Sequence, residues 1–159
     1  MTSPHDIIES QDPARLLALA VAAARQGRAE GGIPIGAALV ADGRLLASGY
    51  NRRVQRGSVI RHGEIDALEN AGRQPASVYA RSTLVTTLSP CDMCTGATLL
   101  YKIPRVVIGE HRTFLGAEDL LRSRGVEVTV LDDADCIAMM AEFIAAEPQL
   151  WHEDIGEQY

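Results

Sequence analysis

The sequence is poor in cysteine and in aromatic residues, has no excess of basic residues and contains no long apolar run. Three cysteines in 159 residues are too few for the disulfide framework of a small secreted domain. No apolar run approaches the ~20 residues that cross a bilayer. The first ten residues, MTSPHDIIES, lack the basic and apolar regions of a signal peptide. We therefore expect a cytoplasmic protein without membrane partners.

The charge balance argues against a further class of function. The formal net charge is −6, so the chain lacks the overall attraction to phosphates on which nucleic-acid binding depends. Only the segment from Arg52 to Arg61, which also contains Arg53 and Arg56, could form a local basic surface, and we expect the arginines at 52, 53 and 56 to be solvated. The length suits one domain spanning residues 1–159. We expect no nucleic-acid partner.

Turn and capping signals predict the order of helices and strands. Asp12-Pro13 is typical of a helix start. Asp42-Gly43 between two apolar runs predicts a tight hairpin and therefore two antiparallel strands. Helices and strands then alternate: a helix from near His62, a strand over residues 82–88, a helix from Ser89 to about Lys102, a strand over 105–109, a helix around 117–124, a strand over 126–131, and a helix from Asp132 or Asp133 that ends before Pro148.

This alternation predicts the fold class. Strands joined by a helix pair in parallel through right-handed crossovers, which place helices on the faces of the sheet. The helix expected before Val126 makes the last two strands parallel, whereas a tight turn would make them antiparallel. We predict an α/β protein, a three-layer α/β/α sandwich on a five-stranded mixed sheet, with an N-terminal antiparallel hairpin and parallel last strands.

Cys91 and Cys94 are the first candidates for a functional site. Ser89-Pro90-Cys91-Asp92 has the pattern of a capping box, with Ser89 as the N-cap residue and proline at the first helical position. Both thiols then lie near the first turn, where the helix dipole favours the thiolate that zinc binds. The pair by itself leaves three interpretations open: a metal site, a Cys-x-x-Cys redox pair, or two buried apolar side chains.

His62 and Glu64 favour the metal interpretation. A His-x-Glu segment that opens one helix and a Pro-Cys-x-x-Cys segment that opens another supply one imidazole and two thiolates. Three protein ligands leave a fourth tetrahedral position for water, which is the arrangement of a catalytic zinc site. Residues two apart on a helix do not face each other, so we expect Glu64 beside the bound water and not on the metal.

The two segments together resemble a known signature. His62-Gly63-Glu64 with Pro90-Cys91-Asp92-Met93-Cys94 is the H-x-E…P-C-x-x-C pattern of zinc deaminases. The chain resembles the fungal-type, yeast-like cytosine deaminases of the cytidine and deoxycytidylate deaminase superfamily over nearly its full length. The matching segments include residues 30–36, 62–65, 86–97, 103–105 and 153–157. The signature is common to all zinc deaminases, whereas the segments TTLSPCDMCTGA and EDIGE are typical of a much smaller group of these enzymes.

The resemblance implies an activity and a mechanism. Zn²⁺ held by His62, Cys91 and Cys94 would lower the pKa of its bound water to about 7, and the zinc-bound hydroxide would attack C4 of free cytosine. Glu64 would carry the water proton to the ring nitrogen and then a proton to the leaving amine. The products would be uracil and ammonia, as for a hydrolase of pyrimidine salvage. The family also implies a homodimer.

The resemblance further implies contacts to the base. Asn51 would bind the pyrimidine edge, and the backbone N–H groups of Gly63 and Cys91 would meet the carbonyl and leaving-group regions. Asp154 would accept a hydrogen bond from the exocyclic amine. The remaining side chains would enclose the ring: Phe114 stacks on it, Ile33 and Leu88 form an apolar wall, and Trp151 belongs to a C-terminal segment that closes over the pocket.

Four residues depart from the family pattern and bear on the substrate. Arg61, His111, Arg112 and His152 are expected at the pocket rim, where the family is less basic or carries an aromatic ring. They leave open a deaminase of a different free base or heterocycle, such as guanine. Three further functions compete with these: an RNA adenosine deaminase, which the net charge disfavours, a zinc-stabilised interaction protein without turnover, which the unligated carboxylate of Glu64 disfavours, and a thiol redox protein, which would bind no zinc.

Overall fold

The computed structural model describes residues 7–8 and 10–159. The interpretation of the first ten residues as lacking a signal peptide falls mainly outside this range. The helices are α1 (Pro13–Ala29), α2 (Arg53–Arg56), α3 (Gly63–Ala71), α4 (Ala76–Tyr79), α5 (Asp92–Leu100), α6 (Glu118–Ser123), α7 (Ala134–Ala146) and α8 (Pro148–Asp154). The strands are β1 (Gly36–Ala41), β2 (Arg44–Tyr50), β3 (Ser82–Leu88), β4 (Arg105–Glu110) and β5 (Glu127–Val130).

The strands form one mixed sheet in the order β2-β1-β3-β4-β5. β1 pairs antiparallel with both β2 and β3, and β3, β4 and β5 pair in parallel. The hairpin between β1 and β2 turns through Asp42 and Gly43, whose φ angles of 53° and 71° are both positive, as a two-residue hairpin turn of the primed type requires. The predicted hairpin, mixed sheet and parallel last strands are confirmed.

Helices cover both faces of this sheet. Neighbouring residues on a strand point to opposite faces, and Leu84 and Val85 of β3 accordingly belong to different apolar clusters. Val85 packs with α1 and with Cys136 of α7, whereas Leu84 packs with Leu121 of α6 and with side chains of α3 and α5. Gly49 lets α3 lie directly on β2, since a Cβ there would be 2.3 Å from the Ala67 nitrogen. The predicted three-layer α/β/α sandwich is confirmed.

Three local features differ from the prediction. The arginine-rich segment from Arg52 to Arg61, for which no helix was predicted, contains the short helix α2, and a further short helix, α4, precedes β3. The C-terminal segment is also helical: α7 ends before Pro148, as predicted, and Pro148 then begins α8. Along residues 7–8 and 10–159, no helix is both long enough and apolar enough to cross a membrane.

The topology collects the predicted site residues at one edge of the sheet. Because β1 runs antiparallel to β2 and β3, the start of β1 lies beside the ends of β2, β3 and β4. The segments that leave this edge are residues 33–35, Asn51, residues 89–91 and residues 111–114. α8 packs against the same edge through Trp151, which shares an apolar cluster with Ile35 and Leu88.

Candidate active site

His62, Cys91 and Cys94 form a compact set of metal-ligating atoms. The Nδ1 atom of His62 lies 3.4 Å from Sγ of Cys91 and 3.8 Å from Sγ of Cys94. A tetrahedral zinc with Zn–S near 2.3 Å and Zn–N near 2.05 Å puts a nitrogen and a sulfur ligand about 3.6 Å apart. The three residues therefore fit a zinc ion, and three protein ligands leave one coordination position for water or substrate.

The ligands stand at the starts of two helices, but the predicted cap is wrong. His62 is the N-cap residue of α3 and Cys91, not Ser89, is the N-cap residue of α5. Ser89 cannot serve as the cap because its hydroxyl donates to Oε2 of Glu118 at 2.6 Å and accepts from the Gly116 N–H at 2.8 Å. Cys94 still lies in the first turn, as predicted.

At neutral pH, Cys91 is ready to bind a metal ion, whereas His62 and Cys94 must first lose a proton. The hydrogen bond from Cys94 and the neighbouring His62 lower the pKa of Cys91 to about 4, although its burial opposes this shift. Burial also opposes protonation of His62, but the hydrogen bond to Cys91 and the carboxylate of Asp154 outweigh it and raise the pKa of His62 to about 9. The hydrogen bond to Cys91, followed by burial, raises the pKa of Cys94. One thiolate is thus available at neutral pH, and metal binding would release the remaining protons.

Glu64 lies beside the ligand set without joining it. The carboxylate is on the first turn of α3, is 4% exposed, and accepts a hydrogen bond from Oγ1 of Thr86 at 2.6 Å. Burial raises the pKa of Glu64, while the Thr86 hydrogen bond and the charge of His62 oppose the shift. A carboxyl group whose pKa is raised toward neutrality can both take and return a proton.

Asp154, at the end of α8, connects that helix to the ligand set. Its Oδ1 atom lies 2.9 Å from Nδ2 of Asn51 and 3.4 Å from Nε2 of His62. A metal-ligating histidine commonly donates its second ring N–H to a carboxylate, which fixes the tautomer. Burial raises the pKa of Asp154, and the charge of His62 and the Asn51 hydrogen bond oppose this. Within the described part of the chain, these contacts all involve Oδ1, which leaves Oδ2 to accept from a ligand.

A small cavity with a mostly apolar wall adjoins these polar groups. It has a volume of about 20 Å³. Phe114 and Trp151 meet edge to face on its wall, with ring centroids 5.9 Å apart. The cavity is lined by Ile35, His62, Glu64, Leu88, Ser89, Cys91, Phe114, Trp151, Asp154 and Ile155.

Three predicted contact residues, Ile33, Asn51 and Gly63, are not among the residues that line this small cavity. Ile33 is fully buried in the cluster that packs against α7 and α8, and Ile35 occupies the predicted wall position instead, because the chain turns sharply where the Ile35 N–H donates to the Ile33 carbonyl. The Asn51 amide donates to Asp154 and accepts from the Arg53 N–H at 3.0 Å. Gly63 is the first residue of α3, so its N–H has no acceptor within the helix.

The four residues that depart from the family pattern do not line the cavity. Arg61 pairs with the buried carboxylate of Asp66 at 2.6 Å, and His111 lies 3.1 Å from a carboxylate oxygen of the buried Glu118. Arg112 pairs with Asp132 at 2.6 Å. The ring of His152 lies against the Pro148 carbonyl, with Nδ1 to oxygen 2.6 Å, and packs near Tyr159. The prediction that these side chains stand at the pocket rim is wrong, because each has a partner elsewhere.

Sequence comparison gives the same result as the geometry. Residues 10–110 match the sequence model described as the cytidine and deoxycytidylate deaminase zinc-binding region. The chain belongs to this family. It is a zinc-dependent deaminase, and the predicted ligands His62, Cys91 and Cys94 are positioned to hold the metal ion.

Individual relatives of this deaminase act on different substrates. A cytosine deaminase of Candida albicans is 52% identical over 147 residues, which cover 92% of this chain and 98% of the relative. A tRNA-specific adenosine deaminase of Haemophilus influenzae is 36% identical over 112 residues, which cover 69% of this chain and 65% of the relative. The solved structure of a mutant of the protein NE0047 with 8-azaguanine has a TM-score of 0.73 and 26% identity, and covers 84% of this chain and 85% of that one.

Sequence reasoning missed Thr86, Arg53 and Ile35. Thr86 had a usable signal: it follows Leu84 by two residues on a buried strand, so it presents a hydroxyl to the helix-covered face on which α3 lies. Arg53 was expected to be solvated but is 9% exposed. No local signal reveals its two carboxylate contacts, since Glu153 and Asp154 belong to α8, about a hundred residues later in the chain.

Proposed function

We propose that this deaminase hydrolyses free cytosine to uracil and ammonia. The observation that carries the proposal is the buried carboxylate of Glu64, which lines the same cavity as the ligands His62 and Cys91. A closed structural zinc site has no use for an unligated buried carboxylate. The similarity to the Candida albicans cytosine deaminase along almost its entire length supports cytosine as the base.

The proposed mechanism assigns proton transfer to Glu64. Zinc bound by His62, Cys91 and Cys94 supplies an acidified water near neutral pH. Glu64 takes a proton from the water and delivers it to the ring nitrogen next to C4, which makes C4 more electrophilic. After the water oxygen has bonded to C4, Glu64 takes the remaining proton from that oxygen and passes it to the amine, which leaves the C4 carbonyl of uracil. The C4–N bond then breaks, and ammonia leaves. The hydroxyl of Thr86 holds Glu64 in position for both transfers.

The remaining cavity residues bind and orient the base in this proposal. Oδ2 of Asp154 accepts from the exocyclic amine, and the backbone N–H groups of Gly63 and Cys91 bind the carbonyl and leaving-group regions. Asn51 meets the pyrimidine edge and keeps Asp154 aligned at 2.9 Å. Phe114 stacks on the ring, and the apolar wall excludes water, which strengthens each polar contact. The wall includes Leu88 and Trp151, with Ile33 packed behind it.

Three broader assignments accompany the proposal. The chain acts as a single domain over residues 1–159 and works in the cytoplasm in pyrimidine salvage. It forms a homodimer, for which the exposed side chains of Leu100 and Leu115, 70% and 65% exposed, offer apolar surface. Light scattering of the purified protein would measure the oligomeric state, and a monomer at micromolar concentration would contradict the dimer.

A deaminase of guanine or a related free purine is the second candidate. It is favoured by the similarity to NE0047, which was solved with 8-azaguanine. It is weakened by the positions of Arg61, His111, Arg112 and His152, because the residues that suggested a different substrate contact groups away from the cavity.

An ammonia-release screen with the zinc-loaded protein tests the proposed function. The panel contains free cytosine, guanine and adenine, the nucleoside cytidine, and a short RNA with an unpaired adenosine. We expect cytosine to give the highest kcat/KM. A higher value for guanine would select the second candidate, and ammonia release from none of them would favour the non-catalytic interaction protein.

A further inference from the structure

Arg53 is a buried cation that the proposed reaction leaves unused. Arginine is rarely buried unless it is paired, yet Arg53 at the start of α2 is 9% exposed. Its Nε donates to the carbonyl oxygen of Val59 at 2.9 Å. Nη1 has no hydrogen-bond partner among residues 7–8 and 10–159, and is aimed at two carboxylates of α8, 3.5 Å from Glu153 and 3.8 Å from Asp154.

The carboxylate of Asp154 has few sources of positive charge. Asp154 is 6% exposed, and a buried carboxylate is costly unless it is paired. Its contact with Asn51 is to a neutral amide. Among the described residues, the basic side chains within 4 Å of Asp154 are His62 at 3.4 Å and Arg53 at 3.8 Å, and Arg53 is the one that does not belong to the metal-ligand set.

We propose that Arg53 is a specificity-determining positioning residue, which holds Asp154 so that its second oxygen faces an exocyclic amine and thereby sets the preference for bases that carry one. The inference rests on the proposed function, which assigns Asp154 to that amine. Arg53 is absent from the lining of the small cavity beside Glu64, although it lines the wider pocket that adjoins this cavity at His62, Cys91 and Asp154. Its action inside the small cavity is therefore exerted through Asp154. Its bond to Val59 anchors the guanidinium to the segment that leads into His62. Arg53 therefore keeps the carboxylate of Asp154 at a fixed position relative to the metal ligand His62.

Three variants separate charge from packing. Arg53→Gln removes the charge, and Arg53→Lys retains it without the Nε bond to Val59. Arg56→Gln is the matched control, because Arg56 is exposed on the same short helix and has no ion pair in the described part of the chain. We expect kcat/KM for cytosine to fall about 10- to 100-fold in Arg53→Gln, mainly through KM, with partial recovery in Arg53→Lys and no change in Arg56→Gln. Zinc content should be equal in all three.

Binding in a Glu64→Gln background tests the amine preference without turnover. Trp151 is the single tryptophan of the chain and lines the cavity, so its fluorescence reports binding of cytosine and of uracil, which lacks the amine. We expect the double variant Glu64→Gln, Arg53→Gln to bind cytosine more weakly than Glu64→Gln alone, and to bind uracil nearly equally well. If Arg53→Gln weakens the binding of cytosine and of uracil by the same factor, so that the ratio of their dissociation constants is unchanged, the proposal is overturned and Arg53 is purely structural.

Failure of the proposed function would be seen in the unmodified protein, which would then not release ammonia from cytosine. If the unmodified protein does not deaminate cytosine, the same comparison is made with the base that it does deaminate and the corresponding keto product. If Arg53→Gln loses zinc or unfolds, Arg53→Lys carries the test. A folded Arg53→Lys protein must then still bind the aminated base more tightly than its keto product. Equal affinity for the two ligands would refute the role of the charge.

Discussion

Replacement of Glu64 by glutamine would separate the proposed catalytic role of this side chain from its structural role. Glutamine has the same shape but cannot shuttle a proton. Oε1 of Glu64 is an acceptor for Thr86 at 2.6 Å, and the amide oxygen of glutamine can accept the same bond. We therefore expect the side chain to stay in place and the ligands His62, Cys91 and Cys94 to hold the same amount of zinc.

The expected effects on activity and on stability differ in sign. Loss of general acid–base catalysis lowers kcat by ~100- to 10,000-fold, or about 2.7–5.5 kcal/mol of barrier. Stability should not fall. Because burial raises the pKa of Glu64 in the folded state, this group destabilises the fold progressively as pH rises from its usual pKa of 4.5 through the raised folded value. Glutamine removes that cost, so Tm at neutral pH should be unchanged or higher.

Ammonia release from cytosine, zinc analysis and thermal unfolding measure the three quantities. Glu69→Gln is the matched control, because Glu69 is an exposed carboxylate on the same helix, and it should change kcat less than about twofold. Activity of Glu64→Gln within a few-fold of the unmodified protein would mean that another group moves the proton. Loss of zinc would mean that Glu64 belongs to the ligand set.

The site also predicts a metal content, a truncation effect and a substrate preference. Purified protein should contain about one zinc per chain, and full occupancy in the double variant Cys91→Ser, Cys94→Ser would refute the ligand assignment. Truncation after Gln149 removes Trp151 and Asp154 and should abolish turnover while zinc remains bound, whereas retained activity would show that α8 is dispensable. In competition kinetics, cytosine should have a higher kcat/KM than cytidine, because Trp151 and Asp154 of α8 line the cavity and leave little room for ribose. The reverse order would favour a nucleoside deaminase.

Local patterns were sufficient for the elements whose signals lie close together in the chain. Asp42-Gly43 predicted the hairpin because only a few backbone conformations close a two-residue turn. The helix between β4 and β5 predicted parallel strands because the connection is too long for a hairpin. The ligand set was predictable for the same reason: His62 with Glu64, and Cys91 with Cys94, are short-range pairs whose spacing follows from helix starts.

Predictions failed where a partner distant in the chain, or buried beneath the surface, decided the outcome. Ser89 has the sequence context of a helix cap, but Glu118, 29 residues later, accepts its hydroxyl hydrogen. Arg61 was predicted at the rim because it adjoins a ligand, but the fully buried Asp66 binds its guanidinium. In both cases the buried carboxylate decided the contact, because an unpaired buried charge is far more costly than a lost cap or an exposed arginine.

The sequence by itself thus determined the fold class, the zinc ligands and the presence of an unligated carboxylate beside them, because these depend on backbone conformation and on short spacings. The tertiary structure alone decided which groups line the cavity. It brought α8 over the edge of the sheet, buried Arg53 behind Asp154 and turned the four predicted rim residues toward other partners. These features depend on the packing of segments up to about a hundred residues apart, and no local pattern encodes which polar side chain is left facing the cavity.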